Sequence, residues 1–518
     1  MIKVDVLALG MLSALRRALE FIGAKLERGF LMQDIPHEDA DTYEMICKAD
    51  TVGAFQIESR AQMSMLPRLR PRTYYDLVVE VAIVRPGPIQ GGMVHPYLKN
   101  RTLSDDEIDY PLALRPALQR TKGVPIFQEQ VMQIAIIAAD FTPGEADGLR
   151  RSMAAWKRQG GLGHYHERLV GRMKQNGYDE EFAERIFKQI QGFGEYGFPE
   201  SHAAGFAQLA YASCWIKRHH PDAFLAALLN SQPMGFYAPA QLVRDARMHG
   251  VEVRAVDVTI SAPQTVLEAL ADDAPPGPLR AVRLGLDRVG GLSAGAGDRI
   301  VGARTQAAFT NVEDLARRAL LNAHELQSLA QADALQGLTG HRHQAAWTVA
   351  GIDTRPTAML RETRVDEAIV ALPAPTEADD LLADYRSVGL TLKRHPLALL
   401  REELARFHVQ PAAVLATFPD GRLARASGLV THRQRPGTAK GTMFVTLEDD
   451  TGVVNAIVWP AVVESQRKPL LAARLLTLFG RWQRQGEGEH AVMHLVVMKA
   501  IDHSDLLQGL VSRSRDFK

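Results

Sequence analysis

Cysteine is almost missing from this chain. Only Cys47 and Cys214 occur in 518 residues, far apart and without CxxC spacing. That argues against a disulfide framework or a cysteine zinc site and fits a reducing cytoplasm. An excess of either charge is also missing, with 60 basic and 60 acidic residues. A neutral total neither supports nor excludes nucleic acid, because phosphates need a local basic surface and not a basic sum. No apolar run is long enough to span a bilayer, so no membrane association is expected. The opening run Met1-Ile2-Lys3-Val4-Asp5-Val6-Leu7 has charges inside it and lacks the core of a signal peptide. There is no clear internal repeat. What remains is 46% hydrophobic and 23% charged, the balance of an ordinary globular protein. The length exceeds a single core, so three or four domains are expected.

Residues 1–12 read as a short buried strand, with Ile2, Val4, Val6 and Leu7 around Lys3 and Asp5. Residues 39–250 read as mostly helical. Phe127, Val131, Ile134 and Ala138 recur at helical spacing, as do Phe182, Ile186 and Ile190 between an Asp179 cap and Gly192. Ala207 to His219 form another helix, stopped before Pro221. Residues 251–280 carry prolines and small residues, as in a connector or short strands. Arg283 to Trp347 is helical again, and 351–385 is a Pro-, Ala- and Asp-rich linker. Five strands then follow, around residues 428–431, 443–447, 453–459, 475–480 and 493–497, with a helix-like stretch between the third and fourth. That pattern suits a small OB barrel.

The most informative stretch is Gly194-Glu195-Tyr196-Gly197-Phe198-Pro199-Glu200-Ser201-His202. Glycines let a backbone approach a ligand closely, and a His at a helix start lies where anions are favoured. Before it come Ala54-Phe55-Gln56-Ile57-Glu58-Ser59-Arg60, Val84-Arg85-Pro86-Gly87-Pro88, Ile126-Phe127-Gln128-Glu129-Gln130 and Gly148-Leu149-Arg150-Arg151-Ser152. Arg60, Arg68, Arg70 and Arg72 form a basic cluster suited to a phosphate backbone, or else a solvated helix face. Arg85 is aimed by a Pro-Gly turn, or pairs with a carboxylate. His202 alone reads equally as a core histidine, and Arg150 with Arg151 as a surface pair.

In this order, the segments resemble the bacterial C-family DNA polymerases. The resemblance covers nearly the whole chain: residues 1–12 as the last strand of the palm, 13–255 as fingers, 256–350 as a helix-hairpin-helix region, 351–400 as linker, and 401–518 as OB domain and tail. The implied fold is multidomain α+β, with mostly α-helical fingers and helix-hairpin-helix region followed by a β-barrel OB domain. The finer match, in Val4-Asp5-Val6-Leu7-Ala8-Leu9-Gly10 and Gly197-Phe198-Pro199-Glu200-Ser201-His202, is to the error-prone, damage-induced branch of translesion synthesis and not to the main replicative polymerase.

Nucleotide polymerisation uses two divalent metals about 4 Å apart, held by carboxylates. By the resemblance Asp5 is a Mg2+ ligand and catalytic, while Lys3, Arg150, Arg151 and His202 face the deoxynucleoside triphosphate. Read without it, Asp5 is as readily a strand-end cap. Arg60, Arg68, Arg70 and Arg85 are expected at the DNA primer-template. So are Gly290 and Gly291, whose hairpin turn offers backbone N–H groups to phosphates. Arg433 and Arg435, with Lys440, Phe444, Trp459 and Trp482, are candidates for a single-strand face on the barrel, although barrel packing explains Trp459 equally.

Asp39-Ala40-Asp41 has metal-pair spacing but reads better as a helix cap. His341-Arg342-His343 lacks a third metal ligand. The linker shows no clear clamp-binding peptide, so the resemblance implies an accessory partner that links to the sliding clamp. The family's PHP domain and the palm's Asp-x-Asp pair are not found, which leaves the two-metal site incomplete and this chain inactive alone. The alternatives are a non-catalytic DNA-binding protein using the hairpin and OB modules, or a truncated product with no independent role.

Overall fold

The computed structural model describes residues 9–85, 88–89, 91–159, 163–192, 198–271, 277–353, 370–486, 488, 491–507, 510 and 515–517. The chain divides into two compact units. One comprises Leu31–His219 with Glu487–Ala491, and the other Met1–Phe30, His220–Gly486 and Val492–Lys518. Among the described residues no helix is long and apolar enough to cross a membrane.

The first unit is helical. Its Gln128–Ala139 helix buries Val131, Ile134, Ala135 and Ala138 at the expected spacing. The Glu180–Gly192 helix starts where Asp179 Oδ2 accepts the Phe182 N–H at 3.1 Å. The Glu200–His219 helix packs on Tyr74–Ile83, and Tyr74 Oη donates to Ala204 O at 2.5 Å. Lys217, with no side-chain exposure, is neutralised by Asp50 Oδ1 at 2.9 Å and donates to Val52 O at 3.2 Å. A buried ammonium requires such partners.

The second unit departs from expectation at its start. Residues 9–12, read as the end of a strand, open the Leu9–Lys25 helix. Its buried Met11, Leu15, Leu19 and Ile22 follow a helical repeat, and residues 1–8 of the expected strand lie outside the described residues. This helix packs on Pro221–Leu229, all nine residues of which are buried. Lys25 Nζ and Asp222 Oδ2 pair across the contact at 2.7 Å. Short strands β1 (Val253–Arg254), β2 (Val266–Glu268) and β3 (Ala281–Arg283) form a sheet in the order β1-β3-β2. The helices Ala294–Gln306, Val312–Arg318, Ala323–Gln331 and Arg342–Ala350 follow.

The five strands expected from alternation are present as β4 (Leu423–Gln434), β5 (Met443–Glu448), β6 (Val453–Val458), β7 (Leu475–Gln485) and β8 (Val492–Asp502). Their order β5-β6-β8-β7-β4 closes through β4–β5 pairing, and β6–β8 is a parallel pair among otherwise antiparallel neighbours. Helices Pro460–Ser465 and Arg467–Ala472 lie between β6 and β7, as in an OB-type barrel. Its interior holds Ala426, Val445, Ala456, Leu478, Trp482 and Leu495. A short β9 (Arg515–Phe517) runs parallel to β4.

Candidate nucleotide and nucleic-acid interface

Lys3 and Asp5 lie outside the described residues, as do Gly194 to Gly197. So do the rest of residues 1–8 and, in the segment after Val84, Pro86, Gly87 and Gln90. The aromatic ring of Phe198, 3% exposed, is where several segments meet. The Arg85 guanidinium stacks over that ring at 4.1 Å and is held by its own Nε donating to Val81 O at 3.1 Å. His202 lies edge-on to Phe198 at 4.9 Å and against Phe206 at 4.3 Å, and Phe206 meets Phe55 at 5.1 Å. Gln128 N donates to Phe198 O at 3.3 Å. Glu129 Oε2 accepts the Glu200 N–H at 3.1 Å, a carboxylate at a helix N-terminus, where the helix dipole favours it. Residues from the segments at 54–60, 84–93, 126–132 and 194–204 therefore share one corner of the first unit.

Within that corner, Gln130 is scaffold. Its Oε1 accepts the N–H groups of Ile126 at 2.7 Å and Phe127 at 3.0 Å. Its Nε2 donates to Ala117 O at 2.8 Å and Thr121 Oγ1 at 2.7 Å. Arg120, which the sequence reading passed over, joins the same corner. It stacks over Tyr75 at 4.2 Å and pairs with Glu200 Oε1 at 3.1 Å, and Tyr75 Oη donates to that oxygen at 2.9 Å. Burial, then the Glu200 carboxylate, pushes the Tyr75 phenol well above its ordinary range. Nothing in the local sequence around Arg120 marks it, because its partners come from two other helices.

Arg150 and Arg151 lie on the Pro143–Gln159 helix, which packs on Gln128–Ala139. Both fold back on one carboxylate. Arg150 Nε and Nη2 donate to Asp147 Oδ1 at 2.9 and 2.7 Å, and Arg151 Nε donates to Oδ2 at 2.7 Å. The Arg151 and Arg150 hydrogen bonds hold the Asp147 carboxyl below its usual value. The spacing Asp147-x-x-Arg150-Arg151 carries this pairing in the sequence. The side chains remain 38% exposed for Arg150 and 75% for Arg151, so an anion can reach both.

The basic cluster after Ser59 divides. Arg60 is half-buried in the first turn of the Arg60–Leu69 helix, which Ser59 caps. Arg68 is exposed. Arg70 is exposed at the left-handed C-cap of that helix, and its Nε donates to Pro67 O at 3.3 Å. Asp39 does cap a helix, accepting the Thr42 N–H at 2.9 Å, and His341 caps the Arg342–Ala350 helix.

Two expectations in the second unit need correction. The Gly290 N–H, expected at a phosphate, donates instead to Ser387 O at 2.7 Å, and a Cβ there would lie 2.9 Å from that oxygen. Gly291 has φ +87°, which a glycine turn needs. The first arm of this hairpin is a single 3-10 turn, Leu286–Arg288, and the second is the Ala294–Gln306 helix. Arg433, expected on a single-strand face, is 7% exposed. Its Nε donates to Leu470 O at 2.8 Å and its Nη2 to Ala473 O, satisfying the end of a helix. A register shift in β4 between Val430 and His432 causes this. Even-numbered residues point inward before it, and Arg433 points inward after it. Trp482 is likewise core, at 3% exposed. Arg435, Lys440 and Trp459 are exposed and Phe444 half-buried.

Residues 11–177 match the family model of the bacterial DNA polymerase III alpha subunit finger domain, and residues 250–345 match a helix-hairpin-helix motif. Over its whole length the chain is 58% identical to an error-prone DNA polymerase of Burkholderia pseudomallei, covering 49% of that protein. It is 59% identical to that of Bordetella bronchiseptica, covering 49%, and 53% identical to that of Methylococcus capsulatus, covering 50%. The chain spans about half the length of the curated relatives it matches.

Proposed function

We infer the function of this chain from its family: it belongs to the bacterial C-family DNA polymerases, in their error-prone branch. Its role is to supply the fingers and DNA-holding modules of an error-prone DNA polymerase that copies damaged templates. Residues 13–255 take the triphosphate, 256–350 grip the duplex and 401–518 handle a single strand. The observation that supports this reading is the gathering of Arg85, Gln128 and His202 around Phe198, with Phe55 on Phe206 and Glu129 on the Glu200 N–H beside it. A protein that used only its hairpin and barrel modules would have no use for that corner.

Arg150 and Arg151 neutralise the triphosphate, exchanging Asp147 for phosphate oxygens. Lys3 and His202 assist. Asp5 would hold a divalent metal, Mg2+ in this reading, which lowers the cost of charge build-up on the phosphates. One carboxylate does not hold two metals against their mutual repulsion, so this 518-residue chain alone does not extend a primer. DNA primer-template, deoxynucleoside triphosphates and a protein linking to the sliding clamp are its partners, in the cytoplasm.

Primer extension tests this. The purified chain with Mg2+ is expected to be inactive, and a polypeptide carrying a family palm to restore extension. Arg151→Ala should then raise the KM for the nucleotide roughly tenfold or more, the cost of one contact to a charged group. Extension by the chain alone that Asp5→Asn abolishes would refute the single-carboxylate argument. DNA binding without any extension after the palm is supplied would favour a non-catalytic DNA-binding module.

A further inference from the structure

We propose that the flank of the barrel formed by β4 and β7 is a contact surface for single-stranded nucleic acid, with a base seated between two stacked arginine–phenylalanine pairs. This rests on the reading that the chain binds DNA. It goes further by moving the strand to a side of the barrel where neither Arg433 nor Arg435 was expected to lead it.

An open cleft of about 260 Å³ is lined there by Arg422, Arg425, Phe418, Phe479, His408 and Gln410, among others. The Arg422 guanidinium lies over the Phe418 ring at 3.9 Å and that of Arg425 over Phe479 at 5.4 Å. Energetically significant pairs of this kind occur about once per 70–80 residues, so two in one cleft are a local concentration. Both arginines are exposed. Arg425 is oriented by its Nη1, which donates to Phe407 O at 3.0 Å.

The strand register extends the positive charge beyond the cleft. Arg425 lies directly opposite Phe479, and Leu423 opposite Arg481, on the outward face of the β4–β7 pair. Across the next pair Phe479 lies opposite Lys499. Arg481 and Lys499 are both exposed. Three cations, Arg425, Arg481 and Lys499, thus spread over three neighbouring strands, with Arg422 just before the first, and among the described residues none lining the cleft is acidic. Cations that track a backbone, interleaved with rings that stack bases, are what a single strand requires. Phe418 is 8% exposed and packs in the barrel core, and Phe479 is half-buried, so the stacked guanidinium groups present the outer faces of both pairs. A duplex keeps its bases stacked inside and would leave those faces unused. The cleft lies along the half of β4 that pairs with β7, Leu423–Leu429, whereas Phe444 lies opposite Gln434 at the other end of β4 and Trp459 follows β6.

Binding of fluorescein-labelled oligo(dT) to the full chain, followed by anisotropy across a salt series, tests the assignment. The double variant Arg422→Glu, Arg425→Glu should bind at least about tenfold more weakly at low salt. It should also lower the slope of log K against log salt by roughly 1.4, since each single-strand phosphate that a cation no longer neutralises takes roughly 0.7 from the slope. Arg422→Gln with Arg425→Gln is the milder pair and should shift affinity the same way. In the unaltered chain, an oligonucleotide carrying 5-iododeoxyuridine should photo-crosslink to peptides containing Phe418 or Phe479. Unchanged affinity and slope in a double variant with native circular dichroism would overturn the proposal. Crosslinks confined to Phe444 and Trp459 would overturn it too, while leaving DNA binding intact. No binding by the unaltered chain would overturn the DNA-binding reading and this proposal together.

Discussion

In the fingers, Arg150 and Arg151 stay on the surface of one helix and share the carboxylate of Asp147, a partner that an incoming anion can replace. In the barrel, Arg433 is buried and committed to the backbone carbonyls of Leu470 and Ala473. These arginines looked alike in the sequence, as cations within motif-like segments. The difference lies in what each would lose on meeting a phosphate. An exposed pair exchanges one screened partner for another at little cost. A buried guanidinium would strand two carbonyls and break the packing around it. Burial therefore separates arginines that are free to exchange their partner from those committed to the fold, and Arg150 and Arg151 are of the first kind.

The largest effect expected belongs to a fingers residue that behaves like Arg433. Gln130→Ala removes four hydrogen bonds inside the Phe198 corner and leaves buried partners on both sides of the side chain. At roughly 1–3 kcal/mol for each unsatisfied buried group, with partial relaxation, the loss is about 4 kcal/mol. Hydrogen exchange of the Gln128–Ala139 helix measures it. A loss below about 1 kcal/mol would show that this corner is not held by Gln130 and would weaken the contrast between scaffold and binding residues.

Arg433→Met comes next. It uncovers two carbonyls, and the expected loss is about 3 kcal/mol, read from hydrogen exchange of β4 and β7. The salt slope of oligonucleotide binding should not change. A slope that fell while barrel stability stayed the same would place Arg433 with the exposed arginines and erase the distinction.

Much of this architecture was legible beforehand, for definite reasons. The barrel strands announced themselves because Val445, Leu447, Val454, Ala456 and Val458 alternate inward without interruption. The Glu180–Gly192 helix showed both its cap, Asp179, and its apolar stripe. Three features were hidden. The inward turn of Arg433 depends on a register shift that no single residue marks. The work of Gln130 depends on Ala117 and Thr121, which precede its helix and reach it only through tertiary folding. The Arg422–Phe418 and Arg425–Phe479 pairs straddle a strand start and two separate strands, so helical or strand periodicity says nothing of them. Signals carried by one element's periodicity or cap were readable, and contacts outside such a repeat or between elements were not.

The smallest effect expected sharpens the comparison from the acidic side. Glu80 on the Tyr74–Ile83 helix is fully buried, and neither carboxyl oxygen has a hydrogen-bond partner among the described residues. Burial pushes its pKa from the ordinary 4.5 up to about 8, with Arg101 opposing only in part. The folded state therefore keeps a proton that the unfolded state gives up near pH 4.5. That contribution to stability is whole below pH 4.5 and declines as pH rises towards 8. The slope is about 1.4 kcal/mol per pH unit, so between about pH 6 and pH 8 the fingers should lose about 2 kcal/mol. Urea unfolding followed by Trp215 fluorescence at the two pH values measures this, and Glu80→Gln should flatten the difference. Arg433 is tolerated inside because carbonyls satisfy its charge. Glu80, with no such partner, is tolerated only as the neutral acid. A pH dependence that survived in Glu80→Gln would show that another group carries it, and that this carboxyl is solvated or paired after all.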